Sequence, residues 1–284
     1  MTKKYAGFIG LGNIGQPMAQ HLNDSDYSLM VFDHFPEAMK SLVDSGATAA
    51  GNAAEIAQHC DYIGLCVRDD NDVDALLYGE QGIFAHAVKG TLIAIHSTVT
   101  RASLFRWASD AKDKGLSLID APMTGGANGA EAGTLCYMVG GEQQQVDACR
   151  PYLMTSAAKI IHAGDLGAGI ALKLCNNLIT YTQFTAMSEA TRLAEACGLS
   201  AEVLREVGKE NGVINEQMYM FISNRNALAA NGDQATIDKY MGPMGLLGEK
   251  DLNCALETAS HLDLKMPATE LIRNMINDVF VAKA

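Results

Sequence analysis

Gly10-Leu11-Gly12-Asn13-Ile14-Gly15 follows directly on an apolar run, Tyr5–Ile9, and opens a stretch with helical spacing, Asn13–Leu22. Few arrangements place three glycines at this spacing between a strand and a helix. In the first βα turn of a doubly wound sheet each has a task. Gly10 permits the tight turn, Gly12 lets a ligand approach the backbone, and Gly15 lets the helix pack on the strand. The free N–H groups and positive end of the helix then suit the phosphates of a dinucleotide. Alone, the pattern is a weak signal, because a glycine turn can be merely a turn. Here a second apolar run, Ser28–Phe32, ends in Asp33, 18 residues after Gly15. A carboxylate at that place accepts hydrogen bonds from the adenosine ribose and repels a 2′-phosphate. His34, beside it, is counted with the same site, and neither Arg nor Lys follows at once. The motif therefore predicts NAD rather than NADP. The competing role for Asp33 is to cap a helix beginning near Pro36.

Up to about residue 160 the chain continues to alternate. Further strands are predicted at Tyr62–Val67, Thr91–Ile95, Leu116–Ile119, Leu135–Val139 and Lys159–His162, with helices such as Pro36–Ser45 and Arg101–Lys114 between strands. Most of these strands are apolar on both faces, as strands covered by helices on each side must be. The expected fold is α/β, a Rossmann doubly wound and mostly parallel sheet over residues 1–164. After Gly164 no β-like run remains. Gly169–Cys197 carries helical periodicity closed by Gly198, and further helices are predicted at Ala201–Lys209, Asn215–Asn226, Leu247–Ala259 and Pro267–Val281. Residues 165–284 are thus expected to form an all-α domain for substrate binding and dimerisation. The long helix, about 40 Å at 1.5 Å per residue, is expected to join the two domains.

Composition narrows the partners. Among 284 residues, 33 acids stand against 21 bases, a formal charge of −12. Phosphate backbones and anionic membranes repel such a surface, so nucleic acid and membrane are not expected partners. No stretch approaches the roughly 18 apolar residues of a membrane span. The start, Lys3-Lys4 before Tyr5–Ile9, imitates a signal peptide, but glycines and polar Asn13 and Gln16 interrupt it. Seven cysteines, Cys60, Cys66, Cys136, Cys149, Cys175, Cys197 and Cys254, form no CxxC pair and read as core filler in a reducing cytoplasm. No His stands at zinc-ligand spacing from another His or Cys.

Ligands of open parallel sheets lie beyond the carboxyl ends of the strands. Those ends read Val67-Arg68-Asp69-Asp70-Asn71, His96-Ser97-Thr98-Val99 and Asp120-Ala-Pro-Met-Thr124-Gly125-Gly126. A hydroxyl followed by two glycines exposes successive N–H groups, a nest able to hold a carboxylate without an Arg. On these residues alone a glycine-rich surface turn accounts for them equally well. Lys173 and Asn177, four apart in Gly167-Ala-Gly-Ile-Ala-Leu-Lys-Leu-Cys-Asn-Asn177, share one helix face. A Lys snorkelling to solvent is the ordinary alternative to a functional one.

Four blocks in order, GLGNIGQPMA (10–19), DAPMTGGANGAEAG (120–133), GAGIALKLCNN (167–177) and KDLNCA (250–255), make the sequence resemble the β-hydroxyacid dehydrogenases. That family includes 3-hydroxyisobutyrate dehydrogenase and tartronate semialdehyde reductase. The resemblance implies hydride transfer between NAD(H) and a small, carboxylate-bearing β-hydroxy acid or its semialdehyde, with an active site between the domains. It assigns Lys173 as catalytic acid/base, Asn177 as substrate-orienting, and Thr124, Gly125 and Gly126 as the carboxylate anchor. Cys66, Val67, Asn71 and Thr98 would line the nicotinamide half of the cofactor site. Lys250 would contact the cofactor from the helical domain, with Asp251 a further candidate. The resemblance also implies a homodimer or homotetramer. Thr124 stands where relatives usually carry Ser, and Pro243 where a Phe is common. Two other readings are an imine reductase, whose relatives usually lack the Lys, and a cofactor-binding interaction module without chemistry.

Overall fold

The structure, a computed structural model, describes residues 4–283; Lys3 of the basic start lies outside them. The chain divides into two compact units, Met1–Lys173 and Leu174–Ala284. The first unit opens with β1 (Tyr5–Ile9), α1 (Gly15–Asn23), β2 (Ser28–Phe32), α2 (Pro36–Asp44), β3 (Thr48–Ala49) and α3 (Ala53–His59). Then come β4 (Tyr62–Leu65), α4 (Asp70–Leu77), α5 (Ile83–His86), β5 (Leu92–Ile95), α6 (Arg101–Asp113) and β6 (Ser117–Asp120). It closes with β7 (Met123–Thr124), α7 (Gly126–Glu131), β8 (Leu135–Gly140), α8 (Gln143–Leu153) and β9 (Ala157–Gly164).

These strands form one sheet in the order β3-β2-β1-β4-β5-β6-β8-β7, with β9 paired to β8. From β3 to β6 every pairing is parallel. β8 runs antiparallel to β6 and β7 and parallel to β9. Every residue of β4 and β5 is buried, which is why their sequences run apolar without alternation. The core centres on Phe8, Val31, Leu42, Ile119, Tyr137 and Val146. Each side chain of that size contributes about 1.5–3 kcal/mol on full burial. The chain order reverses between β1 and β4, so the turns after these two strands flank the sheet's switch point.

α9 (Ala168–Ala196) starts in the first unit and continues into the second, which also holds α10 (Ala201–Glu210), α11 (Glu216–Asn231), α12 (Gln234–His261) and α13 (Pro267–Phe280). Its core gathers Tyr181, Phe184, Met187, Phe221, Ile276 and Phe280. Phe184 and Phe221 stack at 4.1 Å, and Phe280 meets Phe221 edge-on at 4.9 Å. Among the described residues no helix is long and apolar enough to cross a membrane.

Two features differ from the sequence expectation. β3 and β7, two residues each, are too short to show a period. The helix expected over Leu247–Ala259 begins much earlier, with Pro243 inside α12. Gly242-Pro243-Met244-Gly245 reads as a breaker, since proline removes one helical hydrogen bond. Tertiary packing overrides it. Gly245 is buried against Asn277 and Phe280 of α13 so closely that a Cβ there would collide with the Asn277 side chain.

Candidate active site

The glycine turn follows β1. Gly10 holds φ +93°, and a Cβ on it would collide with the carbonyl oxygen of Cys66 at the end of β4. Both the dihedral and the space therefore demand glycine. Leu11 is buried and its N–H donates to Asp33 Oδ2 at 2.7 Å. Asp33 Oδ1 accepts from Phe35 N at 2.8 Å. The N-cap of α2 is Phe35, and no side chain caps that helix, so Asp33 ties the glycine turn to the end of β2 instead. Its remaining lone pairs stay available to ribose hydroxyls. Next to Asp33, His34 is exposed and lies edge-on to Phe32.

The turn fits a dinucleotide. Ile14, at the N-cap of α1, makes no side-chain capping bond. A Cβ at Gly12 would meet nothing within 4 Å, and Gly12 and Asn13 are exposed. The helix start thus offers backbone N–H donors and open space where an anion is favoured. Around it, Val67 N donates to Ser97 Oγ at 2.9 Å, and Ser97 Oγ donates to Val67 O at 2.8 Å. These bonds lace the ends of β4 and β5 together. Thr100 Oγ1 donates to Asp70 at 2.6 Å, fixing the loop that carries Thr98. Asn71 is exposed in the first turn of α4.

His96, at the end of β5, turns inward. It stacks on Phe8 and Tyr152 and bonds Ala121 O at 2.9 Å. Burial holds its pKa down at about 4, so the ring is neutral.

Lys173 projects from α9 with Nζ donating to Met123 O at 2.7 Å. Met123 directly precedes Thr124-Gly125-Gly126, where Gly125 holds φ +134° and Gly126 φ +63°. Both dihedrals lie in the left-handed region that favours glycine. Lys173 is therefore held against the segment that leads into the Thr124-Gly125-Gly126 turn.

One turn further along α9, Asn177 is buried and its Nδ2 donates to Asp251 Oδ2 at 2.7 Å. Tyr181 Oη donates to the same oxygen at 3.1 Å, and Lys250 Nζ lies 3.1 Å from Asp251 Oδ1. Burial and the Asp251 charge push the Tyr181 phenol far above its ordinary pKa. Sequence reasoning named Asn177, Lys250 and Asp251 but not their mutual contact, and it passed over Tyr181. Tyr181 was findable, because it lies four residues after Asn177 on the same helix face.

Residues 5–164 match the family described as the NAD binding domain of 6-phosphogluconate dehydrogenase. Residues 167–283 match the one described as NAD-binding of NADP-dependent 3-hydroxyisobutyrate dehydrogenase. An NAD-dependent L-serine dehydrogenase of Pseudomonas aeruginosa is 36% identical over 90% of this chain and 85% of its own length. A 3-hydroxyisobutyrate dehydrogenase of the same organism is 34% identical over 95% of this chain and 90% of its own. The chain belongs to the 3-hydroxyisobutyrate dehydrogenase family. A solved family structure, Mycobacterium tuberculosis 3-hydroxyisobutyrate dehydrogenase with L-serine, matches with a TM-score of 0.81 at 26% identity, over 99% of this chain and 94% of the other. As a family member the chain is an NAD-dependent oxidoreductase of the hydroxy-acid dehydrogenase type.

Proposed function

We propose that the chain oxidises a small β-hydroxy acid of the 3-hydroxyisobutyrate or serine kind to its semialdehyde, and catalyses the reverse reduction. The observation that carries this reading is the bond from Lys173 Nζ to Met123 O, 2.7 Å, beside the Thr124-Gly125-Gly126 turn. The Gly10–Gly15 turn and Asp33 would hold NAD, which when bound would supply the hydride acceptor. Removal of hydride from a carbinol leaves costly charge on oxygen unless a positioned base takes the hydroxyl proton. Lys173, whose Nζ is held by Met123 O, takes that proton in the oxidation. In the reduction the ammonium returns it. The N–H groups at Gly125 and Gly126 hold the substrate carboxylate, and the Thr124 methyl narrows the pocket beside it. Asn177, on the same face of α9, would orient the reacting hydroxyl, and Lys250 would contact the cofactor.

The helical unit exposes Leu193, Val213, Leu246, Leu264 and Leu271, each more than half accessible. Apolar surface of this kind supports a homodimer or homotetramer. Seven scattered cysteines with no CxxC pair among them support a reducing, cytoplasmic location.

The test is NADH formation from a panel of hydroxy acids that includes 3-hydroxyisobutyrate and L-serine, run with the parent and Lys173→Ala. The variant should lose about 10²–10⁴ in kcat, the usual range for a general acid/base, and still bind NAD. Retention of more than about a tenth of parental turnover would remove Lys173 from the proton-transfer role.

A further inference from the structure

We propose that Asp120, which the reaction does not itself require, is the positioning residue that sets Lys173 in place. The inference rests on the reading of Lys173 as the proton-transfer group.

Asp120 ends β6 and its side chain is wholly buried. Oδ1 accepts from Gly167 N at 2.8 Å and Oδ2 accepts from Ile170 N at 2.7 Å. These are N–H groups at the start of α9, which have no partner within the helix. A carboxylate there also meets the positive end of the helix. The cap comes from a residue 47 positions away rather than from the helix's own flank, so it joins α9 to the sheet. Burial raises the Asp120 carboxyl above its ordinary pKa, and the Gly167 and Ile170 N–H groups pull it back.

The surroundings are shaped for this contact. A Cβ on Gly140, Asp120's partner across the sheet, would collide with Asp120 Oδ1. A Cβ on Gly169 would collide with Met138 O and lie 2.8 Å from Asp120 Oδ2. Bare backbone on both sides lets the first turn of α9 settle onto the carboxylate.

Lys173 comes three residues after Ile170, within the turn so anchored, and its Nζ bonds the carbonyl of Met123, three residues after Asp120. Asp120, α9 and the 120–123 segment thus close into a frame. One corner fixes the helix and the opposite corner holds the amine. If the helix start shifts, the amine moves relative to Thr124-Gly125-Gly126. A misplacement of about 1 Å can cost on the order of 10²-fold in rate. Asp120→Asn keeps the shape but turns a donor toward one of the two N–H groups.

The test is a double-mutant cycle on the full-length protein with NAD and its best hydroxy acid. Asp120→Asn should lower kcat by roughly 10–100-fold, leave KM within about threefold and keep the NAD Kd. In the Lys173→Ala background the same change should lower residual turnover less than about twofold, because the group it positions is gone. An equal fold-loss in both backgrounds, or parental kcat in Asp120→Asn, would overturn the proposal. Lys173→Ala alone reports on the underlying reading: if it stays active, the proton-transfer assignment fails first. Should Asp120→Asn be recovered only unfolded, Gly167→Ala perturbs the same joint at φ +85°. It should give the same kcat-specific, Lys173-dependent loss, and parental kcat there would equally overturn the frame.

Discussion

The carboxamide of Asn177 donates to the carboxylate of Asp251 across 2.7 Å, and both side chains are buried. A carboxylate only accepts, so it dictates which end of the Asn177 amide faces it. The oxygen of Asn177 is thereby turned the other way. The same carboxylate gathers Tyr181 and Lys250, linking the GAGIALKLCNN and KDLNCA blocks.

Asp251→Asn should therefore disturb more than one hydrogen bond. Its amide oxygen can serve Asn177 and Tyr181 only as a neutral acceptor, and its NH2 then faces Lys250 Nζ, at about 1.5–3 kcal/mol for bonds lost to a charged group. The expected outcome is a lower Tm and a KM for the hydroxy acid raised about tenfold, the equivalent of 1.4 kcal/mol. Thermal melts and initial rates check it, and an unchanged KM would detach Asp251 from the substrate side.

Cofactor choice should follow Asp33. Its oxygens are held by Leu11 N and Phe35 N, and a carboxylate so fixed at the end of β2 would repel the 2′-phosphate of NADP. NAD should exceed NADP in kcat/KM by at least about tenfold. Asp33→Asn, which can still accept from Leu11, should shrink that ratio by about the same factor. Parallel kinetics with the two cofactors measure it, and an unchanged ratio would leave Asp33 as a tie for the turn only.

The nest should be intolerant of a side chain. Gly125 sits at φ +134°, and a Cβ there would lie 3.0 Å from Leu135 Cδ2. Gly125→Val should raise KM for the acid at least about tenfold while NAD affinity stays within about twofold. Loss of NAD affinity instead would assign the turn to the cofactor.

Stability should fall on the acid side because of His96. Its folded pKa is about 4 against an ordinary 6.5, owing to burial. The unfolded chain thus binds the proton first, so the full contribution is present above pH 6.5 and is lost as pH falls toward 4. The total is about 3 kcal/mol at most. Melting curves between pH 7 and 4.5 should show a steeper decline for the parent than for His96→Gln, and equal slopes would contradict the assignment.

The glycine turn, Asp33 and the strands Tyr5–Ile9 and Ser28–Phe32 were readable because each depends on neighbours within a few residues. Strand or helix periodicity and the φ > 0 demand on Gly10 are local requirements, and they leave local marks. The same holds for Lys173 and Asn177, whose shared helix face follows from their spacing.

The partners of those residues left no such mark. Asp120 reaches Gly167 and Ile170 across 47 and 50 positions, and Asp251 reaches Asn177 across 74. An acid at a strand end or in a Lys-Asp pair is ordinarily solvated, and only chain packing removes the water and substitutes N–H donors. Pro243 shows the converse. Its local preference is to end a helix, yet α12 runs through it because Gly245 packs tightly on α13. Short-range sterics and hydrophobic period therefore settle most of the elements, α12 at Pro243 excepted. Desolvation, which depends on contacts far apart in the chain, settles how the site's side chains are aimed.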